Sequence, residues 1–228
     1  MLTKQKKLSR KEIKQDKLVE LYYKSQTFFE ENKNKVIIYA GVLAVVVIGV
    51  ILYLNYRNTQ NEEAEIQLAK VIDLYDNGAY LEAIEGIQNK NVIGLKKIVD
   101  EYGSTANGET AKMYLANCYE ALGKTDEALK YYKDYSGNID IFQAAALAGQ
   151  AGIVASEKKY QEAAELYLKA SRVSKTNVSN GDYLLQASIN FMNAGDKDQA
   201  ADLLRLIKSD YKTSTAYVQV DKYLSQLN

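Results

Sequence analysis

The pattern of apolar and polar positions changes character twice along the chain. Before residue 36, Ile13, Lys17, Leu18, Leu21, Tyr22, Phe28 and Phe29 give an apolar stripe, and the other face is mostly Lys, Gln and Glu. That spacing predicts an amphipathic helix, and the capping-box pattern Ser9-x-x-Glu12 starts it at Arg10. From Val36 to Leu54 the sequence VIIYAGVLAVVVIGVILYL holds 19 residues without a charge. As a helix this run is ~28 Å long, close to the hydrocarbon thickness of a bilayer. Beyond it the apolar residues return to helical spacing, and no segment alternates with a period of two. The expected fold is all-α, with one transmembrane helix ahead of a helical body.

The apolar run is too long and too far from the start for a cleaved signal, and Asn55, Tyr56 and Arg57 follow it instead of small residues. Tyr39, Tyr53 and Tyr56 stand near its ends, where interfacial aromatics sit. Gly41 and Gly49 are eight apart, so a GxxxG dimer face is not indicated. The predicted divisions are 1–35, a basic amphipathic segment; 36–54, the span; 55–63, a linker; and 64–228, the body.

Charge fixes the direction. Residues 1–35 carry 10 Lys/Arg against 5 Asp/Glu, and residues 58–228 carry 18 against 24. Lys24, Lys33 and Lys35 precede the span; Arg57 follows it, then Glu62, Glu63 and Glu65. The positive-inside rule puts residues 1–35 in the cytoplasm and the body outside, which in a two-membrane bacterium is the periplasm. The first segment has two readings, a helix lying on the anionic leaflet or docking a partner there, and a solvated anchor that only sets topology.

The body repeats itself. Gly78, Gly123, Lys158 and Gly195 each stand five residues before an alanine: Ala83, Ala128, Ala163 and Ala200. Four residues after each alanine comes a large apolar side chain, Ile87, Tyr132, Tyr167 or Leu204. Twelve before it lies a small or medium residue, Val71, Ala116, Ala151 or Ser188. Nine before it lies a larger one, Leu74, Tyr119, Val154 or Phe191. This is the tetratricopeptide (TPR) helix-turn-helix spacing, in which small residues let paired helices cross closely and the large one seals the gap to the next pair. About four repeats are expected, although the family's Pro and Trp are missing throughout. A second echo, Leu95–Ser104 against Leu204–Thr213, pairs Ile98 with Ile207 and Tyr102 with Tyr211, each 109 apart. Residues 88–96 break the spacing, so an insertion or extra helix lies there. The last helix, roughly 215–227, is expected to cap the array.

Gly94–Tyr132 (GLKKIVDEYGSTANGETAKMYLANCYEALGKTDEALKYY) and Tyr183–Tyr211 (YLLQASINFMNAGDKDQAADLLRLIKSDY) resemble the YfgM-like family of membrane-anchored TPR proteins, as does the whole order of tail, span and repeats. That resemblance implies an ancillary subunit of the SecYEG translocon at the inner membrane. Its repeats would contact the translocon, a periplasmic chaperone or emerging polypeptides.

TPR arrays bind peptides on a concave face lined by first helices. The repeat positions project Leu68, Ile72, Tyr75, Thr110, Met113, Asn117, Glu120, Ala145, Ala148, Gly152, Ala155, Asp182, Leu185, Ile189 and Met192 onto it. Leu68, Ile72, Met113, Asn117, Ala148, Gly152, Leu185, Ile189 and Met192 are the candidate protein-binding residues. The same side chains could instead pack on one another. A Lys/Asn/Arg carboxylate clamp is missing, so recognition of a C-terminal carboxylate is not indicated. Cys118 reads as a small buried residue before it reads as a redox site.

Composition narrows the chemistry. There is no His, one Cys and no Trp or Pro, so imidazole catalysis, an imidazole metal site and an intrachain disulfide are ruled out. No phosphate loop, carboxylate cluster at metal spacing or nucleophile–base pair stands out. The body is mildly acidic, which disfavours an extended nucleic-acid footprint. The expectation is a non-enzymatic interaction protein with no cofactor, no small-molecule substrate and protein partners. Coordination of envelope assembly or cell division is the rival reading, and a membrane sensor a further one.

Overall fold

The computed structural model describes the backbone of residues 10–227 and the side chains of Lys17 and residues 19–227. The chain forms two units, one up to Tyr56 and one from Arg57 on. Helix α1, Arg10–Asp76, contributes to both. The Ser9 cap and the side chains of Ile13 and Leu18 lie outside the described residues.

In the first unit, α1 kinks at Asn32, whose φ is −113° and ψ 15°. The Asn32 side chain donates to the Phe28 carbonyl at 3.0 Å, and such local bonds compete with the helix ladder. The large side chains of the apolar run are exposed, and its most apolar 18-residue window has a mean hydropathy of 2.8 with no residue buried. A run this apolar and this uncovered is a candidate membrane span.

The segment 55–63 is helical, and in the second unit Arg57 and Asn61 bond to residues ahead of and within the helix Ala106–Ala121. Arg57 donates to the Ser104 carbonyl. The Asn107 amide N–H donates to Asn61 Oδ1 at 2.9 Å, and Asn107 Nδ2 donates to the Asn61 carbonyl at 3.1 Å.

The remaining helices are α2 (Tyr80–Glu85), α3 (Leu95–Tyr102), α4 (Ala106–Ala121), α5 (Thr125–Asp134), α6 (Asp140–Ser156), α7 (Tyr160–Ala170), α8 (Asn180–Ala194), α9 (Lys197–Asp210) and α10 (Val220–Leu224). The end of α1 pairs with α2, α4 with α5, α6 with α7 and α8 with α9, which gives the expected all-α TPR array. The four turn residues all adopt positive φ: 74° at Gly78, 71° at Gly123, 63° at Lys158 and 90° at Gly195. A left-handed residue ends each first helix, and glycine does so without a Cβ penalty. The four alanines that open the second helices are 0% exposed, as are Val71, Ala116, Ala151 and Ser188 across from them. Any larger side chain at these contacts would push the paired helices apart.

The first repeat departs from the expected spacing. Its second helix stops at Glu85, and Ile87 lies half-buried on a short strand, β1 (Gly86–Ile87), instead of sealing the core. Strand β1 pairs antiparallel with β2 (Val92–Ile93) across the 3₁₀ turn Gln88–Lys90 and Asn91, whose φ is 55°. The helix then resumes as α3. Leu95, fully buried, takes the sealing place, and both α2 and α3 pack on α4. Matched to Leu204 through the 109-residue echo, residues 87–94 are an eight-residue hairpin inserted into one helix. Gly86 and Gly94 pinch its base: a Cβ on Gly94 would lie 2.1 Å from the Ile84 carbonyl oxygen.

The echo is structural as well. Thr105 Oγ1 donates to the Tyr102 carbonyl at 2.8 Å and Ser214 Oγ to the Tyr211 carbonyl at 2.9 Å. Each residue is the N-cap of the next helix, and Thr105 Oγ1 also accepts from the Gly108 amide at 3.0 Å. After Ser214 that element begins as a 3₁₀ helix, Thr215–Gln219, and becomes α10, so the expected 215–227 helix is a 3₁₀–α composite. Its Ala216 and Val220 bury against Leu184, Leu185, Leu204 and Ile207, covering the last pair's open face.

Candidate functional site

The projected inner residues divide by burial. Leu68 (5% exposed) and Met113 (2%) lie in the main core, and Leu185 (3%) packs with the C-terminal cap. These three act as packing residues here. Ile72 lies half-buried on the same core as Leu68. Ile189 packs on the cap cluster and Met192 on the cluster of Ala164, Phe191 and Ala200. Ala148 and Gly152 are half-buried.

The structure joins Asn117 to residues contributed by other helices. Asn117 Nδ2 donates to the Tyr75 hydroxyl of α1 at 3.3 Å. The Tyr132 hydroxyl of α5 lies 2.7 Å from Asn117 Oδ1 and also meets Glu120 Oε2. That hydroxyl has a single proton, and the ionised carboxylate is the stronger acceptor. Tyr167 of α7 adds a third phenol: its hydroxyl oxygen would lie 3.4 Å from a Cβ placed on Gly152. The Tyr132 ring sits against Gly149, where a Cβ would approach it to 2.5 Å. Glycines on α6 therefore make room for the tyrosines of α5 and α7.

Burial raises all three phenols above the ordinary tyrosine value. Burial raises the Tyr132 hydroxyl well above the ordinary tyrosine range, and Glu120 adds to the rise by accepting its hydrogen bond and by its charge. Tyr167 is raised by burial first and by the Glu120 charge second. Burial also raises Tyr75, opposed by the bond from Asn117. The bonded set runs from Tyr75 through Asn117 and Tyr132 to one exposed carboxylate, Glu120. Tyr132 and Tyr167 were visible in the sequence as sealing residues, since both follow a repeat alanine by four positions. Their shared surroundings were not.

Two polar features serve structure. Glu109 is nearly buried on α4, pairs with Lys112 Nζ at 2.6 Å and accepts from the Ser136 amide and hydroxyl at 2.8 and 2.9 Å. Burial pushes its carboxyl up, but the bonds from Lys112 and Ser136 together outweigh burial and leave it below the ordinary value. This fastens the loop after α5 to α4. Cys118 is fully buried and its thiol is pushed up to about 12 by burial, so it stays protonated and acts as packing. Among the described residues no group of three His, Cys, Asp or Glu side chains is placed to hold a metal ion.

A family model for the tetratricopeptide repeat matches residues 110–137 and 182–214. These segments cover α4–α5 and most of α8–α9, the pairs with a glycine turn and an uninterrupted second helix. The body is a tetratricopeptide-repeat array. A solved structure from Podosopora anserina, described as a kinesin light chain with nearly identical TPR-like repeats, aligns over 73% of this chain and 85% of its own. Its TM-score is 0.53 and its identity 16%, a likeness of fold. No curated protein matches the chain. TPR arrays are protein-interaction scaffolds, and this chain has one as well as a candidate membrane helix.

Proposed function

We propose that the protein is a single-pass scaffold of the bacterial inner membrane, with residues 1–35 in the cytoplasm and the TPR body in the periplasm. In this reading it assists the Sec translocon and periplasmic chaperones that receive exported chains. The observation that carries the scaffold reading is the repeat array itself, with tetratricopeptide-repeat matches over 110–137 and 182–214. The partner assignment is supported by the likeness of Gly94–Tyr132 and Tyr183–Tyr211 to YfgM-like proteins and by the positive-inside charge bias.

Mild-detergent affinity purification of the full-length protein from its own membranes, followed by mass spectrometry, tests the partner. Enrichment of translocon subunits with a periplasmic chaperone is the expected result. Enrichment of cell-wall, division or outer-membrane assembly proteins would replace it with the coordinator reading. Protease accessibility of the body in intact spheroplasts tests the orientation, since the body should be cut and the first 35 residues spared.

A further inference from the structure

We infer that the helix ahead of the span lies on the anionic leaflet of the membrane the chain itself crosses, with its apolar face turned to the lipid. The inference rests on the single-span reading above and gives the first segment a partner. Leu21, Tyr22, Phe28 and Phe29 fall within an arc of about 120° when successive residues turn by about 100°. They are 50% to 64% exposed, so the chain leaves this face uncovered. Two polar residues share the face, and both bond back to the helix. Ser25 Oγ donates to the Tyr22 carbonyl at 2.8 Å, and the Asn32 side chain to the Phe28 carbonyl at 3.0 Å. Bonds of this kind lower the cost of burying a polar side chain at the headgroup–acyl boundary.

The charges sit where an anionic surface needs them. At the same turn angle Lys17 and Lys24 border the apolar face, while Glu20, Glu30 and Glu31 stand on the far side. Border lysines lay their stems on apolar surface and reach phosphates with their ends. The 2.7 Å pair of Lys24 with Glu20 is exposed at both ends and of a kind that contributes little, so it does not hold Lys24 back. Residues 1–35 carry 10 Lys/Arg against 5 Asp/Glu, which complements an anionic leaflet. The backbone supplies the turn. A straight helix would carry the face away from the leaflet along the line of the span, but α1 is interrupted at Asn32, four residues before Val36 opens the apolar run. Across that break the face continues as an apolar groove lined by Phe28, Asn32, Lys35, Val36, Tyr39 and Leu43. One apolar surface therefore runs from the amphipathic helix into the span, and the span keeps the bilayer within its reach.

The test uses the chain's lack of Trp. Full-length protein carrying Phe29→Trp on the face, Tyr23→Trp on the far side or Val46→Trp in the span is placed in phosphatidylcholine nanodiscs, with or without phosphatidylglycerol, and a brominated lipid serves as quencher. In the anionic discs Phe29→Trp is expected to be quenched about threefold more than Tyr23→Trp. The difference should shrink at high salt, without phosphatidylglycerol, and when Lys17→Gln and Lys24→Gln are added. Val46→Trp should be quenched in every disc. Equal quenching at 23 and 29 in the anionic discs, with Val46→Trp quenched, overturns the leaflet assignment and leaves the span standing. The same difference with and without phosphatidylglycerol keeps a lipid-facing helix but overturns its anionic partner. A Phe29→Cys thiol that reacts freely with maleimide in the anionic discs but is shielded in native membranes gives the face to a protein and overturns the inference. Failure to quench Val46→Trp overturns the span itself, and the inference with it.

Discussion

Lys158 holds the third repeat turn in a conformation the other three turns assign to glycine. Its φ is 63°, and the side chain is exposed. A left-handed residue with a Cβ costs roughly 1–2 kcal/mol. Glycine relieves that strain but loses about 0.5–1 kcal/mol more chain entropy on folding. The difference leaves Lys158→Gly more stable by roughly 0.5–1 kcal/mol. For a body of residues 57–228 this raises Tm by about 2 °C. Lys158→Ala keeps the strain and loses only an exposed side chain, so it should stay near wild type. Gly195→Ala is the mirror experiment. A Cβ there meets nothing within 4 Å, so only the 90° φ opposes it, and Tm should fall by a similar amount. Circular dichroism melts of the full-length variants in one detergent provide the readout. If Lys158→Gly melts no higher than Lys158→Ala, backbone strain is not what this turn stores and the reasoning is wrong.

The insertion reading predicts that deleting 87–94 joins Gly86 to Leu95 and leaves a folded, fully helical body; loss of the cooperative melt would refute it. Gly94→Ala forces a Cβ against the Ile84 carbonyl and should destabilise by about 3 kcal/mol or more, read from the same melts. Glu109 has a lowered folded value, so its contribution is present above the ordinary carboxylate value and is lost as pH falls through the folded one. Glu109→Gln should therefore lower Tm near pH 7 and differ little from wild type in strong acid; a gap that does not change with pH counts against the charged role. Cys118 should resist maleimide at neutral pH in the native state and label promptly in urea, whereas rapid native labelling would show that α4 opens.

What the sequence determined was the periodic part. Turn residues, crossing alanines and their opposed small residues recur at fixed spacing because each pair solves the same local contact. The 19-residue apolar run and the lysines before it could likewise be read without tertiary information, since hydrocarbon thickness and charge bias act on composition. Tertiary structure decided what the spacing left open. Ile87 has the right position after Ala83, yet the chain leaves the helix at Gly86 and Leu95 fills the core. Two residues eight positions apart compete for one site, and only packing ranks them. Leu68, Met113 and Leu185 stand where inner-face residues stand, but neighbouring helices cover them. Glu120, Tyr132 and Tyr167 come from three helices, and their meeting depends on how α4, α5 and α7 stack across the small residues of α6. No single segment encodes that angle, because it is set by the fit of all the side chains between the helices.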